Sequence, residues 1–292
     1  MGARKNGRNR RNGAEEFEAY YSQLFGGRWK TLKESFNGEP DYAEWRTPGA
    51  GKPYYLDSAS VFAAASLPLD GAEKILDLCA APGGKTLVLA SLMPKNAELY
   101  SNERSAERKR RLSAVVGDCL PPETSARVKV SCSDGALWCR KFGEEFDRIL
   151  LDVPCSSERH VAADPKYLNS WSRSRIRTVT TEQWALLSSA YRMLVPGGIL
   201  LYSTCALCPD ENDGILARLV EKFRRTGGEF EFIRPEPADV SAFTSAEFPK
   251  FTPTEFGVQI LPDTAEGAGP IYFSVIRKNM PLGGVHDYGV DR

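Results

Sequence analysis

Two cysteines stand three residues apart in LYSTCALC, Cys205 and Cys208, and another, Cys155, follows the proline of LLDVPC. A cysteine can be a nucleophile, a metal ligand or half of a redox pair, so the surroundings must decide. A zinc site needs about four ligands, usually in two close pairs. Only Cys205 and Cys208 form such a pair, and the two histidines, His160 and His286, stand alone; no metal site is expected. A redox C-x-x-C wants to lie between a strand and a helix of a much smaller fold, and Ala206-Leu207 between the thiols is not distinctive. Seven cysteines with irregular spacing do not make a secreted disulfide framework, so the thiols should be reduced. Packing as a small apolar side chain is the ordinary role of any single buried cysteine, and it is the reading given to Cys79, Cys119, Cys132, Cys139 and Cys208.

The elements that must position these residues alternate. From Lys74 onward, KILDLC, AELYSNE, VKVSC, DRILLDV and GILLYST read as strands, mostly short and rich in Ile, Leu and Val. Between and after them KTLVLASLM, SAERKRRLSAVV, GALWCRKF and TTEQWALLSSAYRML carry helical spacing, and Pro196-Gly197-Gly198 predicts a helix stop. DGILARLVEKFRRT predicts a further helix, and VQILP with IYFSVIRK a closing pair of strands. The pattern predicts an α/β fold with a mostly parallel sheet covered on both faces. Ligands of such sheets bind at the carboxyl ends of the strands, where strand order reverses.

At those ends the residues read as a nucleoside site. AAPGGKT follows the first strand, and Gly83 and Gly84 permit a tight turn and close backbone approach at a helix start. A phosphate-binding P-loop would need glycine at position 79, which is Cys79, and the G-x-G-x-x-G fingerprint is absent. The second strand ends at Glu103, near the spacing at which an acid meets ribose hydroxyls. Ser133-Asp134-Gly135 follows the third, placing an acid where an adenine amino group could donate to it. Each acid alone could be a solvated turn or cap residue. Together they favour an adenosyl ligand without a diphosphate, which S-adenosylmethionine satisfies. The fourth strand delivers Asp152-Val153-Pro154-Cys155 and the fifth Ser203-Thr204-Cys205, so two thiols should face one cleft.

The 292 residues suffice for a large domain, alone or with a small appendage. Lys plus Arg and Asp plus Glu are 38 each, so a nucleic-acid site would have to be a local patch. No apolar run approaches the roughly 20 residues that span a bilayer, and no early apolar segment suggests secretion, so a soluble intracellular protein without membrane contact is expected. MGARKNGRNRRNG is basic with few apolar residues, and predicts a disordered tail without the amphipathic face of a transit peptide. Phe17, Tyr20, Tyr21 and Leu24, then Trp45 and Tyr54-Tyr55, are read as core anchors rather than base-stacking platforms.

LDLCAAPGGKT (76–86), SNERSAERKRRL (101–112), CSDG (132–135), DRILLDVPCSS (147–157), PGGILLYSTCAL (196–207), Glu211-Asn212 and GPIYFSVIRK (269–278) resemble, in this order, the motifs of the Nop/Sun family of S-adenosylmethionine-dependent RNA (cytosine-5)-methyltransferases. The resemblance implies a Rossmann-like class I methyltransferase with a mostly parallel seven-stranded sheet. It implies a short helical, RNA-contacting extension over 15–70, a methyltransferase domain over 71–279, and tails at 1–14 and 280–292. Gly83, Gly84 and Lys85 would line the methionine end of the cofactor, and Cys79, Ala80, Ala81 and Pro82 would bind the cofactor as well. Glu103 would hold the ribose with Arg108 nearby, Asp134-Gly135 would contact adenine, and Asp152 would sit between cofactor and base. Cys205 would be the nucleophile and Cys155 the thiol that assists release. Cys155 also stands where an amino-group methyltransferase would have an aromatic after the proline. Many members continue DVPCSGTG, whereas Ser156-Ser157-Glu158-Arg159-His160 follows here, closest to the mitochondrial-type subgroup acting on small-subunit ribosomal RNA or a transfer RNA. Glu103 replaces the commoner Asp. Ribosomal RNA is the favoured partner, with transfer RNA and a non-catalytic assembly factor as alternatives. The expected state is a monomer, helped by a protein partner or an assembly intermediate. The expected setting is cytoplasmic, with mitochondrial as the alternative.

Overall fold

The computed structural model describes residues 12–226 and 230–280. Most of both expected tails, with His286, lies outside the described residues. Asn12 caps a helix that already begins at Gly13, its side chain accepting from Ala14 N–H, so the helical region starts two residues before Glu15.

Among the described residues the strands are β1 (Tyr42–Trp45), β2 (Tyr54–Asp57), β3 (Lys74–Asp77), β4 (Glu98–Asn102), β5 (Val128–Ser131), β6 (Phe146–Asp152), β7 (Leu194–Thr204), β8 (Phe230–Ile233), β9 (Thr252–Pro253), β10 (Val258–Ile260) and β11 (Ile271–Lys278). β1 and β2 form a separate antiparallel hairpin. The main sheet runs β5-β4-β3-β6-β7-β11-β10-β9, parallel from β5 to β7 and antiparallel at β11. Among the described residues the sheet has nine strands rather than seven. β10 pairs with Ile271–Phe273 and β8 with Val275–Lys278 of the same strand, so two short strands share the place beyond β11, and β9 extends the edge. Strand order reverses between β3 and β6, the position at which a ligand crevice opens.

The parallel strands are buried on both faces. In β6, Ile149 and Leu151 enter one apolar cluster and Leu150 the other. In β7, Leu200 and Tyr202 face one side and Ile199 and Leu201 the opposite side. This period of two inside continuous apolar runs is what a sheet covered on both faces requires. The helix expected to stop at Pro196-Gly197-Gly198 does stop just before it. The helix Arg173–Met193 ends before it, and the three residues lie within β7, looped out of the ladder between the pairs Phe146–Leu194 and Arg148–Ile199, with Gly197 at φ 78°. The same helix starts at Arg173 rather than Thr180, because its first turns are polar and exposed and only Ile176 marks the buried side. GALWCRKF forms a 3-10 helix, Gly135–Arg140.

A third apolar cluster joins the N-terminal helices Gly13–Phe25 and Trp29–Ser35 to the cysteine-bearing segments: Phe17, Tyr21 and Trp29 pack with Trp171, Leu207 and Cys208. Phe17 and Trp171 meet edge to face with centroids 5.5 Å apart. Phe17, Tyr21 and Trp45 are core as expected, whereas Tyr55 is exposed and donates from its hydroxyl to Glu44. Within the third cluster the Tyr21 hydroxyl donates to the buried Glu158 carboxylate. Tyr21→Phe should therefore lower unfolding stability by about 1–3 kcal/mol in urea titration, because it strips a buried carboxylate of a donor while leaving the ring in place.

Candidate active site

Beyond β3 the chain turns through Leu78–Gly83 into the helix Gly84–Leu92. Gly83 sits at φ 122°, and a Cβ there would come within 2.9 Å of Val115, so its place is set by turn conformation and by packing on the helix Ala106–Cys119. A cavity of about 210 Å³ opens over the loop, walled by Cys79, Ala80, Ala81, Pro82, Gly84 and Lys85, with Asp77 and Asp152 at its base. Asp77 is buried; its Oδ2 accepts from Thr86 Oγ1 at 2.7 Å and its Oδ1 has no partner among the described residues. Burial, and to a smaller degree Asp152, pushes the Asp77 carboxyl up to about 7. An unpartnered buried carboxylate oxygen beside a glycine turn fits an ammonium-bearing ligand such as the methionine end of S-adenosylmethionine. Cys79 is half-buried, its thiol pushed up by burial.

The ends of β4 and β5 lie outside this cavity's walls. Glu103 is buried; its Oε1 accepts from Ser105 N at 2.8 Å and its Oε2 lies 3.2 Å from Arg108 Nη1. Arg108 also reaches the Ala81 carbonyl at 2.5 Å, tying this acid to the glycine loop. Asp134 is exposed and caps the 3-10 helix through Ala136 N. Gly135 is held against Leu78, where a Cβ would approach within 2.9 Å.

β6 and β7 end side by side, with Asp152 opposite Ser203. Asp152 accepts from Lys85 Nζ and from Ser203 Oγ, both at 2.7 Å. Burial alone would lower the Lys85 ammonium, but Asp152, Cys205 and Asp77 outweigh it and hold the group above its ordinary value. Past this pair lies a second cavity, of about 460 Å³, into which Cys205 opens among Tyr42, Asp57, Ser157, His160 and Pro270. Ser60, Lys85 and Asp152 line both cavities, so the two meet at the Lys85–Asp152 pair.

The three cysteines have different fates. Cys205 is exposed to the larger cavity, Cys155 is half-buried beside it, and Cys208 is buried, 3.2 Å from the Tyr20 hydroxyl, its thiol pushed up to about 12 by burial. Cys205 and Cys208 thus face different surroundings and make no redox pair. The Cys155 thiol is raised well above its ordinary value by the neighbouring Cys205 and by burial. Among the described residues no group of three or more His, Cys, Asp and Glu could hold a metal.

Buried polar side chains hold the two thiol loops. Asn212 accepts from Thr204 Oγ1 at 2.6 Å and donates to the Ala206 carbonyl at 3.0 Å, bracing the residues on either side of Cys205. Glu211 accepts from Ser156 N at 3.0 Å and from Gln183 Nε2 at 2.9 Å, and Gln183 also donates to the Pro154 carbonyl, bracing both sides of Cys155. Glu158 joins the loops by accepting from Ser156 Oγ and, at 2.9 Å, from Leu207 N. Arg159 donates to the Gly267 and Gly269 carbonyls and holds the turn before Pro270. Sequence reasoning missed Asp77, Ser157, Ser60 and Asp57. Asp77, an acid set in the apolar run ILDLC, carried a signal; the others gather only in three dimensions.

Residues 64–273 match the family described as 16S rRNA methyltransferase RsmB/F. The chain belongs to this family. It is 32% identical over 229 residues to 5-cytosine rRNA methyltransferase NSUN4 of Xenopus laevis, covering 75% of this chain and 55% of that one. It is 36% identical over 173 residues to ribosomal RNA small subunit methyltransferase F of Serratia proteamaculans, covering 58% of this chain and 35% of that one. The chain spans about half the length of the first of these relatives and about a third of the second. A methyltransferase homologue from Pyrococcus horikoshii shares the fold, with TM-score 0.66 and 22% identity over 90% of this chain and 94% of that one. The RsmB/F match includes the glycine loop, Asp152, Cys155 and Cys205; Tyr42, Asp57 and Ser60 add cavity walls from before it.

In this RsmB/F chain the raised carboxyl of Asp77 has a stability consequence. Its unfolded value is about 3.9, so between about pH 4 and 7 the folded state holds a proton that the unfolded state has released. The stability this group contributes is therefore lost as pH rises through that window. Asp77→Asn should show a smaller fall in urea midpoint from pH 5 to pH 8 than the parent. A residual fall is expected from Glu211, which is also raised to about 7 by burial and by Glu158.

Proposed function

We propose that this chain transfers a methyl group from S-adenosylmethionine to C5 of a cytosine in ribosomal RNA. The observation that carries the reading is that Cys205 opens into the larger cavity, which shares Lys85 and Asp152 with the cavity over the glycine loop. The similarities to NSUN4 and to methyltransferase F support ribosomal RNA over transfer RNA, and the NSUN4 similarity supports the mitochondrial setting over the cytoplasmic one. The glycine loop and Asp77 would hold the methionine end of the cofactor, with Glu103, Arg108 and Asp134-Gly135 toward its ribose and adenine. When bound, S-adenosylmethionine supplies an electrophilic methyl group.

The chain's own residues prepare the acceptor. C5 of cytosine is a weak nucleophile, so Cys205 adds as thiolate to C6, forming an S–C6 bond and moving electron density toward C5. Lys85, protonated beside Asp152, puts positive charge where density also builds toward N3, and Asp152 orients the base through N3 or its amino group. Transfer of the C5 proton to a solvent base then lets the S–C6 bond break, its electron pair returning to Cys205. Cys155 assists this release. The base must leave its stack to enter the cavity, and Tyr42, 60% exposed in the hairpin of the extension over 15–70, offers a stacking face for a neighbouring base. We take the working unit to be a monomer, with a protein partner or assembly intermediate presenting the RNA.

Transfer of labelled methyl to small-subunit ribosomal RNA, with nucleoside analysis, tests the reading. Label should appear as 5-methylcytidine and be lost in Cys205→Ala. Label retained in that variant would remove Cys205 from the reaction, and no label with the parent, despite cofactor binding, would favour an assembly factor without turnover. Cys155→Ala should accumulate a protein–RNA adduct that survives denaturing gels and disappears when Cys205 is also replaced. Absence of that adduct would leave Cys155 a packing residue.

A further inference from the structure

Ser157 stands at the N-cap of the helix Glu158–Ala163 and does not cap it. Serine is favoured there because its hydroxyl ordinarily accepts a backbone N–H of the first turn. Here no such bond forms, and the residue adopts φ 55°, a left-handed conformation suited to glycine. The hydroxyl lies instead between the two thiols, 3.3 Å from Cys155 Sγ and 3.3 Å from Cys205 Sγ. The Cys155 carbonyl, at 3.4 Å, is its other hydrogen-bond partner. A hydroxyl has one proton to give and lone pairs to accept with. Facing a thiolate and a carbonyl, it gives the proton to the full negative charge, because charge-assisted hydrogen bonds are the stronger ones. Cys155, held protonated by its neighbour and by burial, keeps an S–H to donate to the hydroxyl's lone pair.

We propose that Ser157 is a catalytic residue, its hydroxyl donating to the Cys205 thiolate and accepting from the Cys155 thiol, so that the three side chains form one hydrogen-bonded chain that favours the ionised nucleophile and aims it into the larger cavity. The inference rests on the reading of Cys205 as the nucleophile. No proton changes hands along the chain. When the S–C6 bond forms, Cys205 loses its charge and the hydroxyl relaxes toward the Cys155 carbonyl. When that bond breaks, the electron pair returns to sulfur and the hydroxyl donates to it again. The chain thus serves both attack and departure. The titratable and charged groups facing Cys205 come from each element around it: Lys85 from the helix after the glycine loop, Asp152 from β6, Cys155, Arg159 and His160 from the segment after β6, and Asp57 from the end of β2.

Ser157→Gly removes the hydroxyl and suits the left-handed backbone, so the variant should fold with an unchanged or higher melting temperature. Alkylation of Cys205 by iodoacetamide across pH 6–10, read by peptide mass spectrometry, should move its midpoint upward by about one pH unit. The acid limb of the kcat profile for methyl transfer should move with it, with KM for RNA unchanged. Ser157→Thr, if it melts as the parent does, should return the midpoint toward the parent value. A Ser157→Gly midpoint that superimposes on the parent overturns the proposal, as does a loss confined to KM. Alkylation reads the free protein, so it decides the role of Ser157 even if the parent fails to methylate ribosomal RNA, a failure that would instead count against the proposed function.

Discussion

The arrangement depends on a carboxylate shut away from water. Glu158 is fully buried and accepts from the Tyr21 and Ser156 hydroxyls and from Leu207 N. Burying a carboxylate is costly unless donors surround it, so the network holds only when all three segments are in place together. Those segments are the first helix, the loop after Cys155 and the loop after Cys205. The N-terminal region is therefore more than an appended surface: its aromatic cluster delivers the hydroxyl that completes the site's foundation. Glu211 and Asn212 do the same from the other side, gripping Ser156, Thr204 and Ala206. Two thiols on separate loops are held near one hydroxyl because every flanking backbone segment is tied to a buried polar group.

The sheet supplies the second constraint. Order reverses between β3 and β6, so the glycine loop and Asp152 face one crevice, and Lys85 from the helix after that loop crosses it to Asp152. The pair divides the space into a smaller cavity over the glycine loop and a larger one reached by Cys205. Two ligands held in separate chambers with a shared wall can meet only at that wall, which is how positioning lowers a bimolecular barrier. Lys85 keeps its proton there because acids surround it, and Asp77 resists losing its own because it is buried among them.

Membership of the RsmB/F family covers the sheet and the two thiol motifs, while the hairpin β1–β2 and the first two helices precede the matched residues. That earlier region contributes Tyr42, Asp57 and Ser60 to the cavity walls and Tyr21 to the network beneath them. The reaction's core and its surroundings thus come from different stretches of the chain.

Sequence by itself determined the parallel α/β sheet, the strand ends that carry the chemistry, and the pairing of Pro154-Cys155 with Thr204-Cys205. Short apolar runs, glycines and adjacent motifs are local properties, and local patterning fixes periodicity and turn position. It placed the helix stop before Pro196-Gly197-Gly198 but not the segment's place inside a strand, because a looped-out excursion and a helix stop are written with the same residues. Although the sequence already read Cys205 as the reactive thiol and Cys208 as packing, only the tertiary structure showed one opening into a cavity and the other packed against Tyr20, since burial depends on what distant segments cover. It alone turned the Ser157 hydroxyl from its helix toward two sulfurs, and brought Tyr21 to Glu158 across 137 residues of chain. Such contacts are set by how the three apolar clusters pack, which no short stretch of sequence contains.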